Sequence, residues 1–551
     1  MDFNIARIFE AVEARNPDRL CLIGSDNQFT YRQLGTRARQ LAQALHQRGL
    51  GNVVPRENLR PYQSGQDHLG ICLHNGNEYL EAMLGAFNAR IAPFNINYRY
   101  SAEELRYLLT DAKAAGLIFH SCFAPILQQI RGDLPWLKVL LQVPDSSHHP
   151  LLDGAEWYDS ACSTESGHLP IELDEARSPE DLCILYTGGT TGRPKGVLWR
   201  QCDLWVAALG GRSPKSTEEI QQYEAISLGS ASGGTRLLSS APFMHGAAQW
   251  LAFTAFGHGN TVILPRLVDR FDAEDILDTI ESERANVLLI VGDSFAKPII
   301  SSLTENSRDL SSLQAIVSGG ASLSGRVKSR LLDLLPETVL LDGLGSSETG
   351  QLGSQLLTPG QHVTSGAFSP APGSVLLSED LTRLLSPEED QLGWLAQQGR
   401  VPLGYLGDAE RTTTTFPVID GVHYSVPGDR ARFTTDGTIL LLGRDGSTIN
   451  TGGEKVFAEE VEAALADHQS VIDVVVCGRD SPRWGTEVVA IVCCAEPTSS
   501  EALAAHAAQK IARFKLPKAY VFVDAIQRSP AGKADYRWAV EIARRAQRSE
   551  G

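Results

Sequence analysis

The stretch AEDILDTIESERANVLLIV, residues 273–291, decides the fold class of this chain. It predicts a helix followed directly by an apolar strand. The same order of elements ends in the apolar strands AGLIFH (115–120), LQAIVSGG (313–320) and ETVLLDGLG (337–345). Such alternation builds βαβ units, so it predicts an α/β fold with mainly parallel sheets and helices on both faces.

Two helix starts are marked by capping boxes. Thr30 precedes YRQL with Gln33 three residues on, and Ser101 precedes AEEL with Glu104 three residues on. In each pair the hydroxyl and the later side chain satisfy orphan backbone donors of a first helical turn. We therefore expect helices to begin near residues 31 and 102.

The character of the chain changes after residue 443. A helix at EEVEAALADH (459–468) is followed by strands at VIDVVVCG, EVVAIVCC and AYVFVDAI, with a helix over 500–513 and a final helix at the end. This predicts a large N-terminal domain over 1–443 and a small α+β domain over 444–551. Pro, Gly and polar residues predict loops over 53–68 and 358–374.

Composition excludes several classes of function. The net charge of −17 argues against nucleic acid and against anionic membranes as general partners. No stretch approaches the roughly 18 apolar residues of a membrane span, and the first 16 residues predict an amphipathic helix rather than a secretory signal. The nine cysteines form no C-x-x-C pair, which favours structural thiols in a reducing cytoplasm.

YTGGTTGRPKG, residues 186–196, is the first stretch that points to chemistry. Its four glycines leave backbone N–H groups uncovered, three threonines add hydroxyl donors, and Lys195 adds a mobile positive charge. This composition is suited to a polyphosphate. The stretch is not a Walker A loop, because Arg193 and Pro194 separate Lys195 from the preceding glycine.

Four further stretches carry polar groups after predicted strands or turns: DGLGSSETG (342–350), VPGDRARF (426–433), GRDGSTINTGGEKV (443–456) and RSPAGKADY (528–536). Glu348 and its neighbouring hydroxyls are suited to a magnesium ion that bridges phosphates. Asp429 is placed to accept both hydroxyls of a ribose, and Lys533 lies on a late loop. Each alone has an ordinary alternative: a simple turn, a capping aspartate or a solvated lysine.

Together, in this order, these motifs resemble the ANL superfamily of adenylate-forming enzymes, which includes acyl-CoA synthetases, peptide-synthetase adenylation domains and luciferases. TGGTTGRPKGVLWRQ, GSSETG, FPVIDGVHYSVPGDRAR, TINTGGEKVFAEEVE and RSPAGKADYRWA are most similar to fatty-acid and steroid-acid CoA ligases of actinobacteria. The resemblance covers nearly the whole chain. It implies a large domain with a mobile C-terminal lid, and the co-substrates ATP, Mg²⁺ and coenzyme A.

The resemblance also implies roles for individual residues. Lys533, Glu348 and Lys195 would be catalytic: Lys533 would bridge the carboxylate and the α-phosphate, and Glu348 with Thr187 would hold magnesium. ATP or AMP would be bound by Thr187, Gly188, Gly189, Thr190, Thr191, Gly192, Lys195, Gly320, Asp342, Gly343, Leu344, Ser347, Asp429 and Arg444. A carboxylate and an α-phosphate repel each other unless such cations lie between them.

For the second step, the family implies that the lid rotates about a hinge, here Gly446, and brings in a turn that lines a pantetheine tunnel. The tunnel residues would be Gly452, Gly453 and Glu454. Glycine accommodates large φ/ψ changes, which makes rotation at position 446 plausible.

SAPFMHGAAQW (240–250) matches the family segment that lines the acid pocket, with His245 at its gate. The pocket residues would be His245, Gly246, Trp250, Gly292, Phe295, Ser318 and Gly319. Small linings leave volume for a large apolar acid. No carboxylate neighbours His245 to receive an α-amine, which weighs against an amino-acid substrate. A merely packed His245, and core roles for Trp250 and Phe295, stay open as alternatives.

Three features depart from the family pattern. Leu344 stands where many relatives have a tyrosine that stacks on adenine, Ala458 replaces a common proline, and segment 53–68 is longer than expected. The first departure leaves nucleobase binding to apolar contacts and backbone hydrogen bonds.

The resulting hypothesis is an ATP-dependent acid:CoA ligase for a long-chain or polycyclic hydrophobic acid, which acts through an acyl adenylate. One alternative is an adenylating enzyme that passes its product to a carrier protein or a separate thiolating partner. Two others are a nucleotide-binding protein without catalysis and a luciferase-like oxygenase. A homodimer is possible, because two-fold dimers are the commonest soluble oligomers.

Overall fold

The computed structural model describes residues 2–163, 166–187, 193–213, 216–361, 366–451, 454–481, 485–528 and 534–550. Its α-helices are α1 Ile5–Arg15, α2 Tyr31–Gln47, α3 Asn77–Asn88, α4 Ala102–Asp111, α5 Ala124–Ile130, α6 Tyr158–Cys162, α7 Ile171–Ala176, α8 Gln201–Ala208, α9 Tyr223–Ser230, α10 Gly246–Gly257, α11 Ala273–Glu283, α12 Gly292–Glu305, α13 Gly325–Leu334, α14 Ala409–Thr415, α15 Ala458–Ala466, α16 Ser500–Ala507 and α17 Tyr536–Glu550.

The strands are β1 Leu20–Ile23, β2 Gln28–Thr30, β3 His68–Cys72, β4 Ala92–Asn95, β5 Gly116–His120, β6 Val139–Val143, β7 Glu156–Trp157, β8 Leu182–Thr187, β9 Lys195–Arg200, β10 Arg236–Ser239, β11 Thr261–Ile263, β12 Val287–Ile290, β13 Ala315–Ser318, β14 Val339–Ser346, β15 Gly350–Leu357, β16 Ala367–Pro370, β17 Ser374–Leu377, β18 Gly393–Gln398, β19 Gly404–Tyr405, β20 Val418–Ile419, β21 Val422–Ser425, β22 Asp429–Phe433, β23 Ile439–Arg444, β24 Thr448–Thr451, β25 Glu454–Phe457, β26 Val471–Ser481, β27 Gly485–Cys494 and β28 Ala519–Phe522.

Both predicted capping boxes are present. Thr30 caps α2 and exchanges hydrogen bonds with Gln33, and Ser101 caps α4 and exchanges them with Glu104. The helices begin at Tyr31 and Ala102, as predicted. These boundaries depend on contacts between residues three positions apart, so local sequence is sufficient to set them.

An eight-stranded sheet has the order β19-β9-β8-β4-β3-β5-β6-β7. Strands β8, β4, β3, β5, β6 and β7 run parallel, and β9 and β19 are added antiparallel beside β8. The parallel part confirms the expectation from alternating helices and strands.

A fifteen-stranded sheet combines two patterns of pairing. Strands β1, β11, β10, β12, β13 and β14 form a parallel run, as predicted. From β14 onward the pairs are antiparallel, through β15, β16, β23, β22, β18, β21 and β20. The predicted loop over 358–374 is wrong in part, because β16 lies within it and joins β15 to β23. Pro and Gly surround β16 in the sequence and hide it. The strand forms because β15 and β23, which lie elsewhere in the chain, pair with its backbone on both sides.

The main hydrophobic core lies between the two large sheets. Leu41 of α2 and Leu80 of α3 belong to the same buried cluster as Ile71 of the eight-stranded sheet and Val262 of the fifteen-stranded sheet. Helices packed on both sides of a sheet bury the continuous apolar strands that parallel sheets require. This layer sets the distance between the two sheets.

The C-terminal residues form separate small sheets, a β24-β25 hairpin and a sheet of order β26-β27-β28. Helix α16 ends at Ala507, so the predicted helix over 500–513 is too long. The unit touches the large domain where Lys297 Nζ donates to the Ile472 carbonyl at 2.7 Å and Arg326 Nη1 donates to the Gln469 carbonyl at 2.8 Å. In chain order, β23 is the last strand of the large sheets, and it ends at Arg444. The exact boundary between the two domains stays a prediction.

All nine cysteines are free, and all are buried except Cys122 and Cys494, which are half-buried. Within the described ranges, none of the helices combines the length and the apolar character that a membrane crossing requires.

Candidate active site

The two ends of the glycine-rich stretch lie side by side. Strand β8 ends at Thr187, β9 begins at Lys195, and these two residues are paired across the antiparallel ladder. The intervening Gly188, Gly189, Thr190, Thr191 and Gly192 lie outside the described residues. Thr187 and Lys195 therefore emerge together from one edge of the eight-stranded sheet, where the sequence predicts phosphate binding.

Tyr405 links the lysine to the predicted magnesium ligand. Its ring centroid lies 4.9 Å from Lys195 Nζ, and its hydroxyl donates to Glu348 Oε1 at 3.0 Å. Strand β19 carries Tyr405 and pairs with β9 next to Lys195. Sequence analysis missed Tyr405, because a two-residue strand has no periodicity to mark it.

The charge state of Lys195 reflects its surroundings. Burial lowers the pKa of its ammonium group, the like charge of Arg411 adds to that effect, and Asp408 and Glu348 oppose it. A phosphate bound between Lys195 and Arg411 would offset the repulsion between these two cations, so binding of an anion here is favourable. Lys195 thus has the electrostatics of an anion-binding residue.

The turn that carries Ser347 and Glu348 joins β14 to β15 and is fixed by its backbone. Trp199 Nε1 donates to the Ser347 carbonyl at 2.8 Å, and Ser425 Oγ donates to the Glu348 carbonyl at 2.7 Å. These donors come from the eight-stranded sheet and from β21. Because its main chain is held from both sides, the Glu348 carboxylate has a defined position above the cleft.

A magnesium ion fits this site as a companion of ATP rather than as a resident metal. Among the residues that the structure describes, no group of three or more His, Cys, Asp or Glu side chains forms a metal site. Mg²⁺ in nucleotide enzymes commonly uses one or two protein ligands and takes the others from phosphates and water. The hydroxyl of Tyr405 bonds Glu348 Oε1, and among the described residues Oε2 accepts no hydrogen bond, so it suits that purpose.

Asp429 and Arg444 lie opposite each other on β22 and β23. Arg444 Nε donates to Asp429 Oδ1 at 3.1 Å, and the charges of Asp429 and Glu348 both raise the pKa of the guanidinium. The Asp429 side chain is 12% exposed and that of Arg444 is 46% exposed. The pair thus presents a fixed carboxylate and an accessible guanidinium, an arrangement suited to a ribose and its phosphate.

Asp342, predicted to bind the nucleotide, lies in an ion pair within the protein. Lys328 Nζ lies 2.6 Å from Asp342 Oδ2 and also donates to Gln355 Oε1 at 2.7 Å. Burial raises the pKa of Asp342, and the charge of Lys328 opposes the shift. Leu344 packs against an apolar cluster that includes Leu352. The structure thus gives Asp342 a structural partner that the sequence did not indicate.

Close packing accounts for Gly292 and Gly343 near the ends of the parallel strands, and a positive φ accounts for Gly320. At Gly292 φ is +56°, and a Cβ there would lie 2.4 Å from the Ser322 carbonyl oxygen. Its N–H donates to Ser318 Oγ at 3.3 Å. A Cβ on Gly343 would lie 3.3 Å from the Ser318 carbonyl oxygen, and φ at Gly320 is +87°. Gly319 lies between Ser318 and Gly320, so this edge is lined by backbone.

The predicted acid-pocket residues divide into two groups. Gly246 begins α10 beside Trp250, whose ring is 3.6 Å from the position of a Cβ on Gly246, and His245 is the N-cap residue of α10. Phe295 is buried and packs on Phe271 with ring centroids 4.3 Å apart. The packing of Phe295 favours the interpretation that this residue belongs to the hydrophobic core. Gly246 and Trp250 lie next to each other in the first turns of α10.

The lid residues are described only in part. Gly452, Gly453 and Lys533 lie outside the described residues, and Glu454 begins β25 opposite Thr451. Gly446 lies in a short 3-10 turn, and a Cβ there would meet no described atom within 4 Å.

The unexplained segment 53–68 packs against the site. The Tyr62 carbonyl accepts the N–H of Gly407 at 2.8 Å, two residues after Tyr405. Gln66 Oε1 accepts the N–H of Leu182 at 2.6 Å, at the start of β8. The segment therefore supports both β8 and the turn after β19, contacts that its loop-like composition did not reveal.

This chain belongs to the AMP-binding enzyme family. Residues 9–389 match the model of the AMP-binding enzyme, and residues 460–533 match that of the AMP-binding enzyme C-terminal domain. The predicted membership of the ANL superfamily and the predicted enzyme class, an AMP-forming acyl-CoA synthetase, are confirmed by these matches and by the relatives below.

Two curated relatives and one solved structure show how far the similarity extends. The medium-chain acyl-CoA ligase Mig of Mycobacterium avium is 50% identical and covers 98% of both chains. The medium/long-chain-fatty-acid--CoA/3-oxocholest-4-en-26-oate--CoA ligase of Mycobacterium marinum is 36% identical and covers 98% of this chain and 96% of its own. The anthranilate CoA ligase AuaEII in complex with anthranoyl-AMP is 21% identical, has a TM-score of 0.79 and covers 99% of this chain and 98% of its own. The last match confirms the predicted fold.

Proposed function

We propose that this enzyme joins a medium- or long-chain or polycyclic hydrophobic carboxylic acid to coenzyme A, with ATP and Mg²⁺ as co-substrates and acyl-AMP as intermediate. The observation that carries the proposal is the convergence of Lys195 and Glu348 on Tyr405. The charge of Glu348 also raises the pKa of Arg444, which supports a common site for the phosphate end and the ribose end of the nucleotide.

In the first step, a carboxylate oxygen of the acid attacks the α-phosphorus of ATP, and the bond to the β-phosphate breaks to release pyrophosphate. Two anions must meet, so the rate depends on cations held in position before the reaction. Lys195 and Thr187 would bind the β- and γ-phosphates, Asp429 and Arg444 the ribose, and Lys533 the reacting oxygens. Bound Mg²⁺ would neutralise phosphate charge beside Glu348.

In the second step, the thiolate of coenzyme A attacks the acyl carbon, and AMP leaves with the electrons of the broken C–O bond. In this proposal the lid rotates about Gly446 and presents Gly452, Gly453 and Glu454 to the pantetheine chain. The curated relatives are CoA ligases, so transfer to a carrier protein is not favoured.

The acid class rests on the shape of the site and on the relatives. Gly246 and Gly319 leave the start of α10 and the end of β13 without side-chain bulk, whereas the Ser322 carbonyl fills the space beside Gly292. The Mig relative is named for medium-chain acids and the M. marinum relative for fatty and steroid acids. In the proposal, Trp250 and His245 line the entrance of the pocket.

Two further parts of the proposal concern the setting of the enzyme. Nine free cysteines support a reducing, cytoplasmic environment. A two-fold homodimer is also proposed, and light scattering of the purified chain measures it.

Exchange of labelled pyrophosphate into ATP, run with octanoate, palmitate, a cholestenoic acid and anthranilate, tests the first step. We expect exchange with the aliphatic or steroid acids and little with anthranilate. Mass spectrometry after addition of coenzyme A tests the second step, with an acyl-CoA as the expected product. Exchange with none of the hydrophobic acids would refute the proposal, and acyl-AMP that leaves coenzyme A unconsumed would refute its second half.

A Gly246→Val variant tests the assigned pocket. The new side chain would contact Trp250, since even a Cβ at this position lies 3.6 Å from its ring. We expect the preference to move toward shorter acids while the KM for ATP stays unchanged. A parallel loss for short and long acids would place Gly246 outside the pocket.

A further inference from the structure

Helix α4 contacts the base of the phosphate-binding stretch through a side-chain cluster that the enzyme mechanism leaves unused. Tyr107 and Asp111 lie one turn apart on this helix, so their side chains share a face. The Tyr186 hydroxyl donates to Asp111 Oδ2 at 2.7 Å, and the Tyr107 hydroxyl lies 3.4 Å from Asp111 Oδ1. The Asp111 carboxylate thus accepts the Tyr186 hydroxyl and shares the single hydrogen of the Tyr107 hydroxyl with the Pro194 carbonyl.

The same cluster reaches the other end of the stretch. The Tyr107 hydroxyl lies 3.4 Å from the Pro194 carbonyl oxygen, and the guanidinium of Arg193 lies over the Tyr107 ring at 4.7 Å from its centroid. Tyr186 immediately precedes Thr187, and Pro194 immediately precedes Lys195. The cluster therefore holds the chain one residue away from each of two proposed phosphate ligands.

The main chain of Tyr186 is fixed independently. Its N–H donates to Asn95 Oδ1 at 2.8 Å, and Asn95 Nδ2 donates to its carbonyl at 3.0 Å. A Cβ on Gly196 would lie 3.0 Å from the Tyr186 ring, so the ring covers the neighbouring strand. Since Asn95 holds the backbone and the β8–β9 ladder sets the spacing of the strand ends, Asp111 is left to fix the direction of the Tyr186 side chain and, through Tyr107, the position of the paired ends against α4.

Tyr186 belongs to the apolar core beneath α4, but Tyr107 and Asp111 do not contribute to it. The apolar packing of α4 comes from Leu105, Leu108, Leu109 and Ala112, whereas Tyr107 and Asp111 are half-buried on another face. Burial raises the pKa of Asp111, and the like charge of Asp408 adds to the rise. A half-buried carboxylate near another acid is unfavourable for stability unless its hydrogen bonds compensate. The free-energy cost of keeping the Asp111 carboxylate here indicates that this residue serves to position its neighbours.

We propose that Asp111 and Tyr107 are positioning residues that align Thr187 and Lys195 with the β- and γ-phosphates of ATP. The inference rests on the proposed function of these two ligands. Neither α4 residue touches the reacting atoms in this proposal. They act by holding the paired ends of β8 and β9 in a fixed position against α4.

AMP provides a matched control ligand, because it shares the adenosine and the α-phosphate but lacks the β- and γ-phosphates. Calorimetry with ATP and with AMP, without acid or coenzyme A, is the test. For Asp111→Leu we expect the Kd for ATP to rise about tenfold and the Kd for AMP to stay within about twofold of wild type. Asp111→Asn, which keeps one acceptor oxygen, is expected to restore most of the ATP affinity.

Tyr107→Phe is the second variant and keeps the ring beneath Arg193. We expect its Kd for ATP to rise about threefold to tenfold, again without an effect on AMP. Thr110→Ala is the control on the same helix, since the Thr110 hydroxyl bonds only the Arg106 carbonyl within the described residues. Melting temperatures of all variants report any loss of folding.

The outcomes separate this inference from the function on which it rests. Wild-type protein that binds no ATP would refute both. Normal ATP binding by folded Asp111→Leu and Tyr107→Phe, or equal losses for ATP and AMP, would refute only the positioning role.

Discussion

The hydroxyl of Tyr405 donates a 3.0 Å hydrogen bond to Oε1 of Glu348. This contact connects a strand of the eight-stranded sheet to a turn of the fifteen-stranded sheet. It thereby determines where the proposed magnesium ligand stands relative to the phosphate-binding lysine, which contacts the face of the same tyrosine ring.

Removal of this hydroxyl tests the connection. Tyr405→Phe keeps the ring beneath Lys195 but removes a hydrogen bond to a carboxylate, which is worth about 1.5–3 kcal/mol. We expect pyrophosphate exchange to slow about tenfold or more and the Mg²⁺ concentration for half-maximal rate to rise. Tyr223→Phe, which removes a hydroxyl bonded to the Asn4 N–H, is the matched control. An exchange rate equal to wild type would show that Tyr405 does not position Glu348.

The pH dependence of ATP binding follows from Lys195. Burial and Arg411 lower the pKa of its ammonium group from the ordinary 10.5. The ammonium group is charged below its pKa and loses that charge as the pH rises above it. The KM for ATP should therefore begin to increase at a lower alkaline pH than it would with an exposed lysine at this position. In Lys195→Arg the guanidinium stays charged, and the alkaline increase should disappear. Lys138→Arg, at an exposed position, is the control, and an alkaline limb that survives in Lys195→Arg would assign it to another group.

Glu459 bridges the two sides of the proposed hinge. The Ser447 hydroxyl, with its single hydrogen, lies 2.7 and 2.9 Å from the two carboxylate oxygens of Glu459, and a Cβ on Gly443 would lie 2.3 Å from Glu459 Oε2. Glu459 therefore packs against backbone that precedes Gly446 and against a side chain that follows it. Rotation about Gly446 would separate Gly443 from Glu459, so the contact stabilises the present orientation of the lid.

In this orientation Arg528, five residues before Lys533, forms an ion pair with Asp473, 2.6 Å long. Burial lowers the pKa of Arg528, and Asp473 together with the charge of Asp293 in the large domain raises it above the ordinary value. We therefore expect Glu459→Ala to slow adenylate formation about tenfold and to leave thioester formation from supplied acyl-AMP nearly unchanged. Glu460→Ala removes an ion pair with Lys515 inside the lid, 2.7 Å long, and is the control. Equal slowing of both half-reactions by Glu459→Ala would contradict a hinge contact.

The stability of the small domain should fall between pH 5 and 8. Burial, together with the like charge of Glu459, raises the pKa of Glu462 to about 8 from an ordinary 4.5. Between these values the folded chain binds a proton that the unfolded chain has released, so stability is full below the lower value and decreases as pH rises. Glu462→Gln is neutral throughout and should melt about 4 °C or more above wild type at pH 8, with a smaller difference at pH 5.

The Glu462→Gln comparison needs an exposed control in the same domain. Glu496→Gln serves, because Glu496 lies on the surface. In the Glu462→Gln variant, the amide oxygen can still accept the Val476 N–H, which Glu462 Oε1 accepts at 2.8 Å. A melting difference that does not change with pH would show that Glu462 ionises normally.

Much of the parallel architecture was predictable because its signals are local. Both capping boxes, the alternation of α11 and β12, and the position of Lys195 after a buried strand depend on residues within one helix or one turn. The resemblance of five motifs also identified the family. The antiparallel half of the large sheet was not predictable in this way, because β16 forms only where β15 and β23 flank it.

The amino-acid sequence by itself determined the class of fold, the family and the residue types available to bind a triphosphate, since periodicity, caps and motif spacing act over short distances. Only the tertiary structure decided which of those residues meet. Asp342 faces Lys328 and not the solvent, Tyr405 joins Lys195 to Glu348, and Asp111 accepts the hydroxyl of Tyr186 from β8. The physical reason is that hydrogen bonds and ion pairs require contact within a few ångströms, and here the partners come from different elements that only the folded chain brings together.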